Sequence, residues 1–284
     1  MTLLLAVAVG FLASRLAWMS LRPVLAAELF QRQNYRGHVL ATGGGLVLAL
    51  GLVVVEAGRV VVSSITDGAA GPGGGRSAVL LLAVGLALLG LVDDLGGGSD
   101  RRGFRGHLRS LAEGRPTTGA VKMVGGGAVA ILAVAIARPG DDFLELVTDA
   151  ALVALAANLG NLLDVAPGRA IKASTLAFAI LAAATSLDDR LSVVAVVVGA
   201  GVGLLLDDLR EHVMLGDTGA NLLGGAIGLG VVVVGSPVVR LATLGVLAIL
   251  NGISEWVSFS QVIDRVAPLR AFDRAGRRRG PSAP

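Results

Sequence analysis

Four short clusters carry the residues able to do chemistry in an otherwise apolar chain. Asp93 and Asp94 are adjacent and close one apolar run. Asp164 closes another, with Asn158 and Asn161 six and three residues before it, a spacing that sets all three on one helix face. Asp217 stands in Gly216-Asp217-Thr218-Gly219, just before a third run. Thr42-Gly43-Gly44 opens a fourth. Two of them have a plain structural alternative: a solvated helix end for Asp93 and Asp94, an N-cap for Asp217. Brought together, Asp93, Asp94, Asp164 and Asp217 would repel and raise one another's pKa. A hard divalent cation relieves that. With no Cys and three His, an all-oxygen site favours Mg2+, or Mn2+, over zinc. Lys122, Arg169 and Lys172 supply positive charge, and the glycine loops let backbone approach an anion. The residues therefore point to a metal-assisted phosphate site.

The elements that must position these residues are membrane helices. The chain has 284 residues, 54% hydrophobic and 16% charged, with a mean hydropathy of +0.77. Soluble domains carry about 25% charge. This composition excludes an ordinary soluble globule, a disordered chain and a nucleic-acid module. The isoelectric point near 10.1 misleads, because the net charge is only +3. The expected fold is an all-α polytopic membrane protein. Nine apolar runs fall at about residues 3–21, 43–65, 77–92, 119–137, 143–163, 170–187, 191–206, 218–234 and 238–256.

Charge placement gives the expected sidedness. Arg15 lies within the first run, and Arg22, Arg32 and Arg36 follow it, the reverse of a cleavable signal peptide. The N-terminus is then outside and the C-terminus cytoplasmic. Alternating nine spans leaves Arg59, Arg76, Arg138, Arg190 and Arg240 outside, and 18 of the 24 Lys and Arg inside. The bundle occupies residues 1–257 of a multi-pass plasma-membrane protein, with inner loops at 22–42, 93–118, 164–172 and 207–217. All four polar clusters fall on that inner side. Residues 258–284 form a basic tail. Its Val262, Ile263, Val266 and Leu269 have helical spacing, with Arg265 and Arg270 among them. That is either a surface helix on anionic lipid or a plain topology anchor.

Taken in order, the clusters resemble those of the polyprenyl-phosphate N-acetylhexosamine-1-phosphate transferases, over about residues 34–221. Thr42-Gly43-Gly44 is similar to the family's first-loop motif, and Leu91-Val92-Asp93-Asp94 to its paired aspartates. Asn158, Asn161 and Asp164 resemble its Asn-x-x-Asn-x-x-Asp motif, and Met214-Leu215-Gly216-Asp217 its last aspartate motif. The resemblance implies attack of a polyprenyl phosphate on the β-phosphate of a UDP-sugar, with UMP leaving. It implies Asp217 and Asp94 as Mg2+ ligands, and Asp93, Asp94 and Lys122 as catalytic residues. Thr42, Gly43, Gly44, Asn158, Asn161, Asp164 and Lys172 would bind the nucleotide sugar and the lipid phosphate. A homodimer is plausible by the same resemblance, and no nucleic acid is expected.

The chain also departs from the family. Val165 stands where a glycine is usual, Ala220 where a serine is usual, and the last loop lacks histidines, reading Ser254-Glu255-Trp256-Val257. Two rival readings follow. One is a catalytically silent relative that binds lipid phosphate or acts as a scaffold. The other is a transporter, for which Glu56, Arg59 and Asp149 are the candidate intramembrane charges.

Overall fold

The computed structural model describes residues 2–66, 73–96 and 117–278. Most of the expected inner loop 93–118, with its arginines 101, 102, 105, 109 and 115, lies outside the described residues. So do most of the Gly-rich turn after the second run and the last six residues of the tail.

Eleven α-helices are present among the described residues: α1 (Leu3–Leu25), α2 (Gly45–Ile65), α3 (Gly74–Gly96), α4 (Thr118–Ala137), α5 (Phe143–Leu163), α6 (Arg169–Ala184), α7 (Ser192–Leu209), α8 (Gly216–Val234), α9 (Pro237–Ser254), α10 (Phe259–Arg265) and α11 (Ala267–Arg274). A small antiparallel hairpin, β1 (Gln31–Gln33) and β2 (Val39–Ala41), joins α1 to α2. The protein is thus an all-α multi-pass membrane protein, and every one of the nine apolar runs forms a helix. Polar residues start several of them. Thr117 accepts from the Ala120 N–H, Asp142 from Glu145 and Ser236 from Val239.

Among the described residues eight helical stretches are long and apolar enough to cross a membrane. The sixth run, which forms α6, is the exception and is shorter than expected, at 16 residues. It stops at Ala184 because Thr185 turns its hydroxyl back onto the Leu181 carbonyl, and Ser186 and Leu187 take left-handed φ angles of 52° and 61°. At 1.5 Å per residue it is about 24 Å long, short of a perpendicular span. It still runs from one end of the bundle to the other. At one end the Gly168 N–H reaches Asp208 at the end of α7, 2.7 Å away. At the other, α6 turns into the Asp188–Leu191 segment that begins α7.

The core is α7 and α8. Ser192 to Gly201 of α7 and Thr218 to Ala226 of α8 are buried on all sides. The outer helices expose apolar stripes to lipid, such as Leu12 and Leu16 of α1 and Leu241 and Ile249 of α9. Small residues let the backbones touch. Gly10 of α1 faces the Val196 carbonyl of α7, Gly199 of α7 faces Val7, and Gly160 of α5 meets Ala220 and Gly224 of α8. No side chain fits at these crossings. The α5–α8 contact also sets the depth at which Asn161 meets Asp217. Gly224→Val should therefore cost on the order of 1–3 kcal/mol of stability by overpacking. Unfolding in detergent measures this, and an unchanged midpoint would contradict the packing.

Candidate functional site

Polar ends of four helices meet at one end of the bundle. α3 contributes Asp93 and Asp94 from its last turn, α4 contributes Lys122 from its first, α5 contributes Asn161, and α8 contributes Asp217 from its N-terminus.

Asp94 anchors this arrangement. Its Oδ1 accepts the Asp217 N–H at 3.0 Å. Its Oδ2 accepts the Thr218 N–H at 3.1 Å and the Thr218 hydroxyl at 2.6 Å. These are orphan donors at the start of α8, which has no cap from a residue of its own. The cap comes from another helix, so Asp217 is not the N-cap that its local sequence suggests. The positive end of the α8 dipole also offsets the unfavourable C-terminal end of α3. Close passage is required here. A Cβ on Gly90 would lie 2.5 Å from the Asp217 carbonyl, and one on Gly216 would lie 2.6 Å from the Asp94 carboxylate. Gly216 also has a φ of +72°, open mainly to glycine.

With α3 and α8 pinned, the carboxyls of Asp93 and Asp217 come within hydrogen-bonding reach of each other. Two carboxylates so close need a shared proton or a cation. Lys122 supplies one: its Nζ pairs with Asp217 and lies 3.3 Å from Asp93. Asn161 completes the group. With its amide nitrogen toward Asp217 Oδ1 (2.5 Å) and its oxygen toward Lys122 Nζ (3.1 Å), both ends are satisfied.

Behind this group Asp164 follows α5 and takes the Gly216 N–H. Burial, and then the charges of Asp208, Asp217 and Asp94, push its pKa well above the usual carboxylate range. Asp208 accepts the N–H groups of Gly168 and Leu215.

The remaining expected residues have partners of their own, and of them Asn158 also borders a cleft beside Lys122. Thr42 is buried and takes its place through the Phe30 carbonyl, 2.7 Å from its N–H. Gly44 spends its N–H on the Met214 carbonyl at 3.0 Å. With Gly43 they hold the start of α2 against the loop before α8. Lys172 donates to the carbonyls of Phe272, Asp273 and Ala275, so it caps α11. Asn158 bonds Asn251 of α9 at 2.7 Å.

A cleft of about 600 Å³ opens beside Lys122. Asp93, Lys122, Asn158, Asn161, Asn221 and Asn251 line its polar mouth, with Ser254 and Glu255 from the end of α9. Deeper in, its walls are Leu82, Leu86, Gly126, Ala130, Val153 and Ala157. Lys122 and Ala130 are eight residues apart on α4, so the apolar part runs about 12 Å along that helix. Asn251 was not foreseen, although an amide inside an apolar span is itself a signal.

The donor set decides how a cation would fit. Among the described residues no three His, Cys, Asp or Glu side chains form a ready cage. Asp93 and Asp217 face each other, a pair suited to Mg2+, which often takes one or two carboxylates and completes its shell with phosphate and water. Asp94 does not suit the ligand role expected for it, because its oxygens already hold three donors from α8.

No protein-family model matches the chain, and no curated protein matches it closely enough to carry a family assignment.

The raised pKa of Asp164 has a sign that can be measured. The folded parent holds a proton that the unfolded chain releases near pH 4, so the parent loses stability as pH rises from there toward the folded pKa. In metal-free buffer Asp164→Asn should match the parent at low pH and gain on it as pH rises. Thermal unfolding against pH tests this, and a gap that narrows toward alkaline pH would contradict it.

Proposed function

We propose that the protein transfers a sugar-1-phosphate from a nucleotide sugar, a UDP-sugar, to a polyprenyl phosphate at the cytoplasmic face of the cell membrane. The observation that carries this reading is the cleft, which is apolar at membrane depth and opens on a lysine held between two carboxylates. An isoprenoid chain matches the apolar part, and its phosphate then lies beside Lys122. The motif order of the sequence supports the same reading.

In the reaction a lipid-phosphate oxygen bonds to the β-phosphorus of the UDP-sugar. The bond from that phosphorus to the bridging oxygen breaks, and UMP leaves with the electron pair. The lipid phosphate is already ionised at neutral pH, so alignment and charge neutralisation matter more than a strong base. Lys122 meets phosphate charge at the cleft mouth. Asn161 orients Lys122 and Asp217. Asp94 fixes α8, and with it the position of Asp217. Asn158, Asn221 and Asn251 offer hydrogen bonds to the sugar. Asp93 and Asp217 would hold Mg2+, or Mn2+ in its place, which when bound neutralises charge developing on the diphosphate.

A second reading, a lipid-phosphate binder without turnover, is favoured by one observation. Lys122 is already engaged by two carboxylates, with no third carboxylate or histidine joining them among the described residues.

The test is a panel of nucleotide sugars with undecaprenyl phosphate and Mg2+, watched for nucleotide monophosphate release by the purified protein. Release should require both substrates and fall about 100-fold or more in Asp217→Asn. Stabilisation by the lipid phosphate with no release from any donor would support the binder. Turnover unchanged in Asp217→Asn would remove the site from the mechanism.

A further inference from the structure

The tail forms two helices instead of one continuous surface helix. They break at Val266, where φ and ψ are −95° and 108°, just before Ala267-Pro268. The tail is also firmly docked. Asp273 is buried and receives both Arg169 Nε (2.8 Å) and Arg169 Nη2 (3.1 Å), with Arg277 alongside. Arg169 Nη1 reaches the Ser260 hydroxyl at 2.7 Å, and Lys172 caps α11. These contacts fasten the tail across the N-terminus of α6 and the end of α7, which is the level where membrane helices leave the bilayer.

Docking through Asp273 leaves the apolar side of the tail uncovered. Val262, Val266, Leu269 and Phe272 are 39–46% exposed. Leu269 and Phe272, three apart, share one side of α11, and Arg270 and Arg274, four apart, share the stripe beside it. Arg265, at the end of α10, is exposed as well, and Asp264 pairs with Arg274. In the chain the tail follows directly on α9, a largely exposed apolar helix, with Ile249 and Ile253 exposed near its end and Trp256 exposed just past it.

We propose that α10 and α11 lie on the surface of the protein's own bilayer as an anionic-lipid docking element. Val262, Val266, Leu269 and Phe272 insert at the headgroup–acyl boundary, while Arg265, Arg270 and Arg274 meet the phosphates of acidic lipids. The charge favours an anionic membrane over an acidic protein, because the arginines accompany exposed apolar residues on a tail that follows directly on a largely exposed apolar helix.

The test uses the full chain in nanodiscs, with Trp18→Phe and Trp256→Phe removing the native tryptophans and Leu269→Trp as the single reporter. Val262→Trp in the same background gives a second reporter should the first fold poorly. Chain-brominated phosphatidylglycerol should quench the reporter strongly. Quenching should fall by about half in purely zwitterionic lipid, or when Arg265, Arg270 and Arg274 are all changed to Gln. A reporter that no brominated lipid quenches, whether it faces water, a second copy or a protein partner, overturns the proposal. Equal quenching by neutral and acidic lipid also overturns it. The outcome does not depend on the transferase reading, since neither substrate enters the assay.

Discussion

One carboxylate crosses the bundle to cap another helix. Asp94 ends α3, and its oxygens take the first N–H groups and the Thr218 hydroxyl of α8, more than 120 residues along the chain. In a low-dielectric interior such groups are costly if left unpaired. Pairing them fixes the height and rotation of α8 against α3. That brings Asp217 opposite Asp93, and the repulsion between them is met by Lys122 from α4. Gly90 and Gly216 have no side chain because this approach leaves no room for one.

The charges at the other end of the bundle provide a contrast. Glu56 is bound by Arg59 and Arg76, and Asp149 by Arg240 and Arg138. Each of these two acids has two arginines, an arrangement that pins α2 to α3 and α5 to α9. At Lys122 the balance among the described residues is reversed, with two carboxylates to one lysine. An excess of negative charge at a cleft mouth suits a site that binds a cation together with phosphate. The arginine-saturated acids Glu56 and Asp149 suit structural pins better than a transport pathway.

Much of the site was legible in the sequence, and the exceptions share a cause. Asp93, Lys122, Asn161 and Asp217 could be read from residue type, from helical spacing and from the alternation of helix ends. The division of labour between Asp93 and Asp94 could not. Neighbours on a helix point about 100° apart, and which one meets α8 depends on the rotation of α3. Lys172 was legible as a charge, but its carbonyl partners lie in the tail about 100 residues away. Thr42-Gly43-Gly44 was legible as a special loop, but its use, pairing with Met214, depends on a contact between distant segments. The end of α6 depended on Thr185, Ser186 and Leu187, none of which breaks a helix by composition alone.

The central claim is that the cleft selects a phosphate headgroup on an isoprenoid chain and that Lys122 makes the selection. Native mass spectrometry of the purified protein, offered a polyprenyl phosphate or the polyprenyl alcohol of equal length, tests it directly. The parent should retain the phosphate at least about tenfold over the alcohol, a difference of about 1.4 kcal/mol, and Lys122→Met should lose that preference. Equal retention of phosphate and alcohol by the parent would contradict the account.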